Sequence, residues 1–221
     1  MADPRCAKNI TGLPTDMLSI IAEHLRPKPL KPYLFTKPSL ATADLRSLQL
    51  SNTVFREPFR RQIALWTIGC MPKKLPEAPP EFRNDREFVR DAVEINYEVL
   101  EYAEPKFKGD FEVVMAAVTN CGYALKYASK RLQDNDKIVM AAVEGVGEAL
   151  EFASERLRSD REIVLIAVTA DGVALEFAAP ELRDDLEIVV IALKDTWAPL
   201  EFASETVRNV VIAAINVGLL E

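Results

Sequence analysis

Apolar residues in this chain come in short blocks, and from residue 85 onward the blocks keep a fixed spacing. The tetrads LEYA, LKYA, LEFA, LEFA and LEFA start at Leu100, Leu125, Leu150, Leu175 and Leu200, 25 residues apart each time. Val89, Val114, Val139, Val164 and Val189 hold a second register of the same period, and Ala92, Ala117, Ala142, Ala167 and Ala192 a third. A period of this length held through five copies marks a tandem array of supersecondary units.

Each unit reads as a pair of helices. Asp85, Asp110, Asn135, Asp160 and Asp185 precede the apolar run, where a side-chain oxygen caps free N–H groups. Glu87, Glu112, Glu162 and Glu187 add negative charge to that helix start, and Lys137 breaks the pattern. The run itself, as in IVLIAV at 163–168, is apolar nearly all round, which predicts burial between neighbours. Its constant alanine would let helices approach closely. Gly122, Gly147 and Gly172 predict a turn. A short second helix follows, and Ser129, Ser154 and Ser204, or Pro105 and Pro180, restart a final turn that buries Phe107, Leu132, Leu157, Leu182 or Val207. Stacking must stabilise such units, because one pair alone cannot cover both its faces.

The ends of the array differ. The first unit has Arg90 and Asp91 where later units have Met115-Ala116, Met140-Ala141, Leu165-Ile166 and Val190-Ile191, which suggests a polar cap. At the far end, 210–215 (VVIAAI) begins another unit after a three-residue deletion, and Glu221 falls inside it. The array is therefore expected to continue in a longer protein.

A different pattern precedes the array. Residues 13–25 place Leu18, Ile21 and Leu25 on one helical face behind Pro14. A second helix is predicted over 44–56 with Leu45, Leu48, Val54 and Phe55 as its apolar positions, and a third over 59–66. Charge divides at the same place: residues 1–80 carry net +6 and residues 81–221 net −13. Eleven of 14 prolines lie before residue 81, so the stretch 76–80 reads as a linker. The acidic half would be repelled by phosphate backbones and anionic membranes and suits a basic protein partner. No signal peptide and no membrane span is visible. Three scattered cysteines, Cys6, Cys70 and Cys121, argue for a reducing compartment and against a disulfide framework.

Two resemblances follow from these residues. The array pattern D-x-E-I-V-x-x-A-V, then G-x-A-L-E-F-A-S, then L-R-x-D resembles a family of tandem Ala/Val-rich helical repeats of unknown function, associated with protists, large DNA viruses and effectors of intracellular bacteria. It covers about 82–221 and implies a helical repeat fold with no activity. The segment L-P-x-D-x-L-x-x-I-x-x-x-L followed by D-L-x-x-L-x-L-S-N-x-x-x-F-R, within 10–66, resembles an F-box, a three-helix module that docks on the Skp-type adaptor of cullin-RING (SCF) ubiquitin ligases. The match implies adaptor-facing or supporting roles for Leu13, Pro14, Leu18, Ile21, Leu45, Leu48 and Leu50. It departs from the family pattern at a proline-rich insertion over 26–43.

Catalytic patterns are weak. His24 is the single histidine and has no partner in view; serine-nucleophile, zinc and phosphate-loop motifs are missing. Glu101, Glu151, Glu176 and Glu201 form an acidic stripe beside a basic one of Lys108, Arg158, Arg183 and Arg208, read as surface ion pairing between units. Breaks in the array offer target-binding candidates: Lys126 and Lys137 in place of Glu, Tyr97 and Tyr123 where other copies have Glu148 and Val173, and Trp197 in place of the glycine turn.

The expected protein is all-α: an F-box-like bundle over 10–75, then an α-solenoid of five repeats and a partial sixth over 81–221. It would be a cytoplasmic adaptor, in the host cytosol if an effector, without enzymatic activity, cofactor or metal, and without nucleic-acid or membrane binding. It would recruit the ligase through one half and bind an unknown target through the other. The alternatives are a scaffold whose N-terminal bundle only caps the solenoid, and the non-catalytic part of a larger enzyme.

Overall fold

The computed structural model describes residues 57–194 and 196–216, all helices, turns and connecting segments, with no strand among them. The first two helices of the expected bundle, its insertion, and Leu13, Pro14, Leu18, Ile21, Leu45, Leu48 and Leu50 lie outside the described residues.

Seven helices form one row: α1 (Glu57–Cys70), α2 (Arg86–Ile95), α3 (Phe111–Asn120), α4 (Asp136–Gly145), α5 (Arg161–Ala170), α6 (Leu186–Ala192) and α7 (Glu205–Asn216). From α1 to α6 each packs on the next. The caps are as expected. Asp110 accepts from the N–H groups of Glu112 and Val113, Asp160 from those of Glu162 and Ile163, and Asn135 from that of Ile138.

The second helix is a six-residue 3₁₀ helix in three units, Gly122–Tyr127, Gly147–Phe152 and Gly172–Phe177, which pack on one another as a second row; the unit before them has the four-residue α turn Val99–Tyr102 there and the last the five-residue 3₁₀ helix Ala198–Phe202. A 3₁₀ helix has three residues per turn. That period aligns the buried Gly122, Leu125 and Ala128 on one edge, as the sequence spacing requires. A four-residue α turn then buries Phe107, Leu132 or Leu157, while Leu182 is only half-buried. Units are joined by main-chain bonds: the N–H of Ser129 donates to Lys108 O, that of Ser154 to Gln133 O and that of Ala179 to Arg158 O, at 2.8–2.9 Å.

The glycines act differently from expectation. Among the described residues no glycine has positive φ. A Cβ at Gly122 would lie 2.3 Å from the Ala142 carbonyl oxygen, one at Gly147 2.4 Å from that of Ala167, and one at Gly172 2.0 Å from that of Ala192. Glycine here permits contact with the following unit's long helix, and its partner is the constant alanine of that helix.

The array also begins earlier than expected. Pro72–Glu77 is a 3₁₀ helix and Pro80–Arg83 an α turn, so the proline-rich stretch read as a linker is folded. Leu75 and Ala78, 25 residues before Leu100 and Ala103, are 2% and 1% exposed. α1 then occupies the long-helix place, burying Ala64 in the register of Val89 and Ile68 in that of Val93. The third stretch of the F-box-like match, 59–66, lies within it. Arg90 and Asp91 are consequently not an outer cap: Arg61 on α1 donates to Asp91 at 2.8 Å, and Arg90 at 3.0 Å.

At the far end the deletion removes the turn and capping aspartate that separate the two helices elsewhere. The chain runs on as the single helix α7, and Val211 takes the buried place of Val189.

Candidate interaction surface

The long helices bury only part of their apolar girth. In α5, Ile163, Val164, Ala167 and Val168 are inside, while Leu165 and Ile166 remain half-exposed. Met115-Ala116, Met140-Ala141 and Val190-Ile191 repeat this arrangement, giving an apolar row along the outer face. Phe111 (40% exposed) and Leu186 (45%) extend it. A groove of about 520 Å³ opens on this face, lined by Glu94, Phe111, Glu112, Met115, Ala116 and Thr119 among others. The expected burial between neighbours is therefore complete at four positions of α5 and only partial at Leu165 and Ile166, which pack against the core and stay partly exposed.

Ion pairs join the units, but between other residues than the stripes suggested. Arg86 reaches Asp110 at 2.7 Å and Glu112 at 3.1 Å; Arg161 pairs with Asp185 and Glu187; Arg156 meets Asp134 and Asp136. The Arg86 guanidinium holds the Asp110 carboxyl below the usual carboxylate range, aided by the capped N–H groups. At Asp185 burial pushes upward, but N–H donors and Arg161 outweigh it and the net direction is down. Two residues of the basic stripe serve the main chain instead. Lys108 donates to Glu101 O at 2.6 Å and Arg208 to Glu201 O at 2.9 Å; Gln133, in the same register, donates to Leu125 O at 3.0 Å.

The expected target-binding residues do not share one face. Tyr97 aligns with Gly122, Gly147 and Gly172, not with Glu148, and is half-buried against the core. Tyr123 is the residue in the register of Glu148, and its hydroxyl donates to that carboxylate in the next unit. Lys126 is exposed with its ammonium 4.9 Å from the Tyr127 ring centre. Burial, then the neighbouring Glu101, pushes the Tyr127 phenol well up. Lys137 lies in the first turn of α4 and Trp197, 49% exposed, ahead of the 3₁₀ helix Ala198–Phe202. Cys70 is free and exposed, and Cys121 is buried in the core.

Among the described residues, no group of three or more His, Cys, Asp or Glu could hold a metal ion, and no helix is long and apolar enough to cross a membrane. The model of a family described as a domain of unknown function, DUF4116, matches residues 70–108, 110–158, 135–183 and 160–208. The last three matches step by 25 residues, the period of the array. No curated protein and no solved structure matches the chain.

Proposed function

Because the chain belongs to the DUF4116 family of repeated domains, we propose that its array is a protein-binding α-solenoid and that the chain acts as an adaptor without chemistry of its own. One observation carries this reading: the outward apolar row from Met115 to Ile191, which the stacking of units leaves half-exposed. Rows of this kind on a charged surface serve as contact sites for other proteins.

The finer reading is a substrate receptor of an SCF-type ubiquitin ligase. The F-box-like motif within 10–66 supports it. The compartment is then the cytosol, that of the host if the chain is an effector. A pull-down with purified Skp-type adaptor tests this, with Leu13→Ala/Pro14→Ala as control. Binding at micromolar concentration, lost in the double variant, is expected. Without binding, the ligase role fails and a pure scaffold remains, its N-terminal part serving the array alone.

A further inference from the structure

The last turn of a helix leaves carbonyl groups without intrahelical partners. Two unit junctions supply donors for them. Asn96 Nδ2 donates to Gly69 O at 3.0 Å, and Asn120 Nδ2 donates to Val93 O at 3.0 Å and Glu94 O at 2.7 Å. Gly69, Glu94 and Thr119 share one register of the repeat, 25 residues apart. At the next junction, Gly145 stands in the register of Asn120 and Val146 in that of Asn96, so neither can offer a side-chain donor to Thr119 O.

A cavity of about 350 Å³ occupies that place, lined by Val118, Thr119, Ala141, Glu144, Gly145 and Val146 among others. A Cβ at Gly145 would meet nothing within 4 Å. The cavity shares Thr119 and Asn120 with the groove over Phe111 and Met115. Glu94, Glu112 and Glu144 line the two, and no lysine or arginine does. The carbonyl end of α3 adds partial negative charge.

We propose that this slot receives an arginine or lysine head group from a basic segment of a partner protein, taking the place that the Asn120 amide holds one junction earlier. A large apolar side chain of the same segment lies on Met115 and Ala116, one helical turn or about 6 Å away. Charge selects the partner: Glu112 is paired with Arg86 and Glu94 with Arg90, so Glu144 and the helix C-terminus beside the slot are what favour a cation and repel an acidic segment. The inference rests on the protein-binding reading of the outer face and names the chemistry of its ligand.

Fluorescence anisotropy with the 221-residue chain tests it, using two synthetic peptides with the same apolar residues, one carrying arginines and the other glutamates in their place. The arginine peptide is expected to bind. Gly145→Asn, which puts an amide in the slot, should weaken binding at least tenfold, and so should Glu144→Lys. Glu181→Lys, the same charge change on the turn Pro180–Arg183, should alter it less than twofold. A thermal melt of Gly145→Asn separates filling of the slot from loss of fold. Unchanged binding by a folded Gly145→Asn overturns the proposal, as does failure of the arginine peptide to bind. If the glutamate peptide binds through Met115 and Ala116, the slot falls while the outer face stands as a binding surface. A chain that associates only with itself overturns the proposal too.

Discussion

Gly147→Ala probes the junction on which the array depends. The added Cβ would lie 2.4 Å from Ala167 O and 3.0 Å from both Asp171 Cβ and Asp171 N. Most of these atoms are main chain of the next unit and cannot swing aside. Relief requires the units to part by roughly 1 Å, and a gap of that size forfeits about a quarter to a half of each affected contact. Overpacking of this kind costs about 1–3 kcal/mol. The lower entropy of an unfolded alanine returns about 0.4–1 kcal/mol, so net destabilisation of roughly 1–2 kcal/mol is expected, several degrees in Tm for a chain of this size.

Gly145→Ala supplies the opposite sign two residues away. It ends α4 with open space where the Cβ would go, so it should gain up to about 1 kcal/mol from helix propensity. Urea unfolding followed by far-ultraviolet circular dichroism reads both midpoints. If Gly147→Ala is as stable as the parent, or if both variants shift in the same direction, the close-approach account of these glycines is wrong.

Other expectations follow from single contacts. Asp160→Ala removes the acceptor for the N–H groups of Glu162 and Ile163 and should cost about 1 kcal/mol in the same unfolding assay. Asp110, Asp134 and Asp185 titrate below the ordinary carboxylate range. Their contribution is complete above the unfolded value of about 3.9 and is lost as pH falls through the folded values, so stability should drop below about pH 4. Arg86→Ala should make the Asp110 part of that acid limb shallower, read as unfolding midpoint against pH. The Tyr127 phenol titrates above its ordinary value. Its contribution holds below about pH 10 and declines at higher pH. Tyr127→Phe, the residue used at 152, 177 and 202, should remove that alkaline decline; an unchanged decline would show that another group causes it.

Local chemistry was legible along the chain because it acts over three or four residues. The Asp110 and Asp160 caps and the buried Val and Ala registers needed only the helical period. The three-residue deletion before α7 could be counted. Close approach of Gly147 to Ala167 could not, since it joins residues 20 apart through the stacking of two units. The stripes misled for a similar reason: Lys108 and Glu101 are neighbours, but the ammonium reaches the Glu101 carbonyl and not its carboxylate. The upstream unit carried a readable signal in Leu75 and Ala78, in register with Leu100 and Ala103, which the surrounding prolines obscured. The slot at Gly145 was readable only as a missing asparagine, and that meaning needs the bonds Asn120 makes.

The repeat itself separates residues that build the array from residues that build its face. Asp at the cap, Gly at the junction and Ala opposite it each answer to a contact within one or two units, so their recurrence follows from folding. The paired positions Met115-Ala116, Met140-Ala141 and Leu165-Ile166 do so only in part: they pack against the core and stay partly exposed. A half-exposed apolar side chain gains only part of the roughly 1.5–3 kcal/mol that full burial brings. In the one unit where this pair is polar, Asp91 accepts from Arg61 on the preceding helix and from Arg90. Under the proposed protein-binding role the apolar pairs have a use: a partner lying on them would complete the burial that stacking leaves partial.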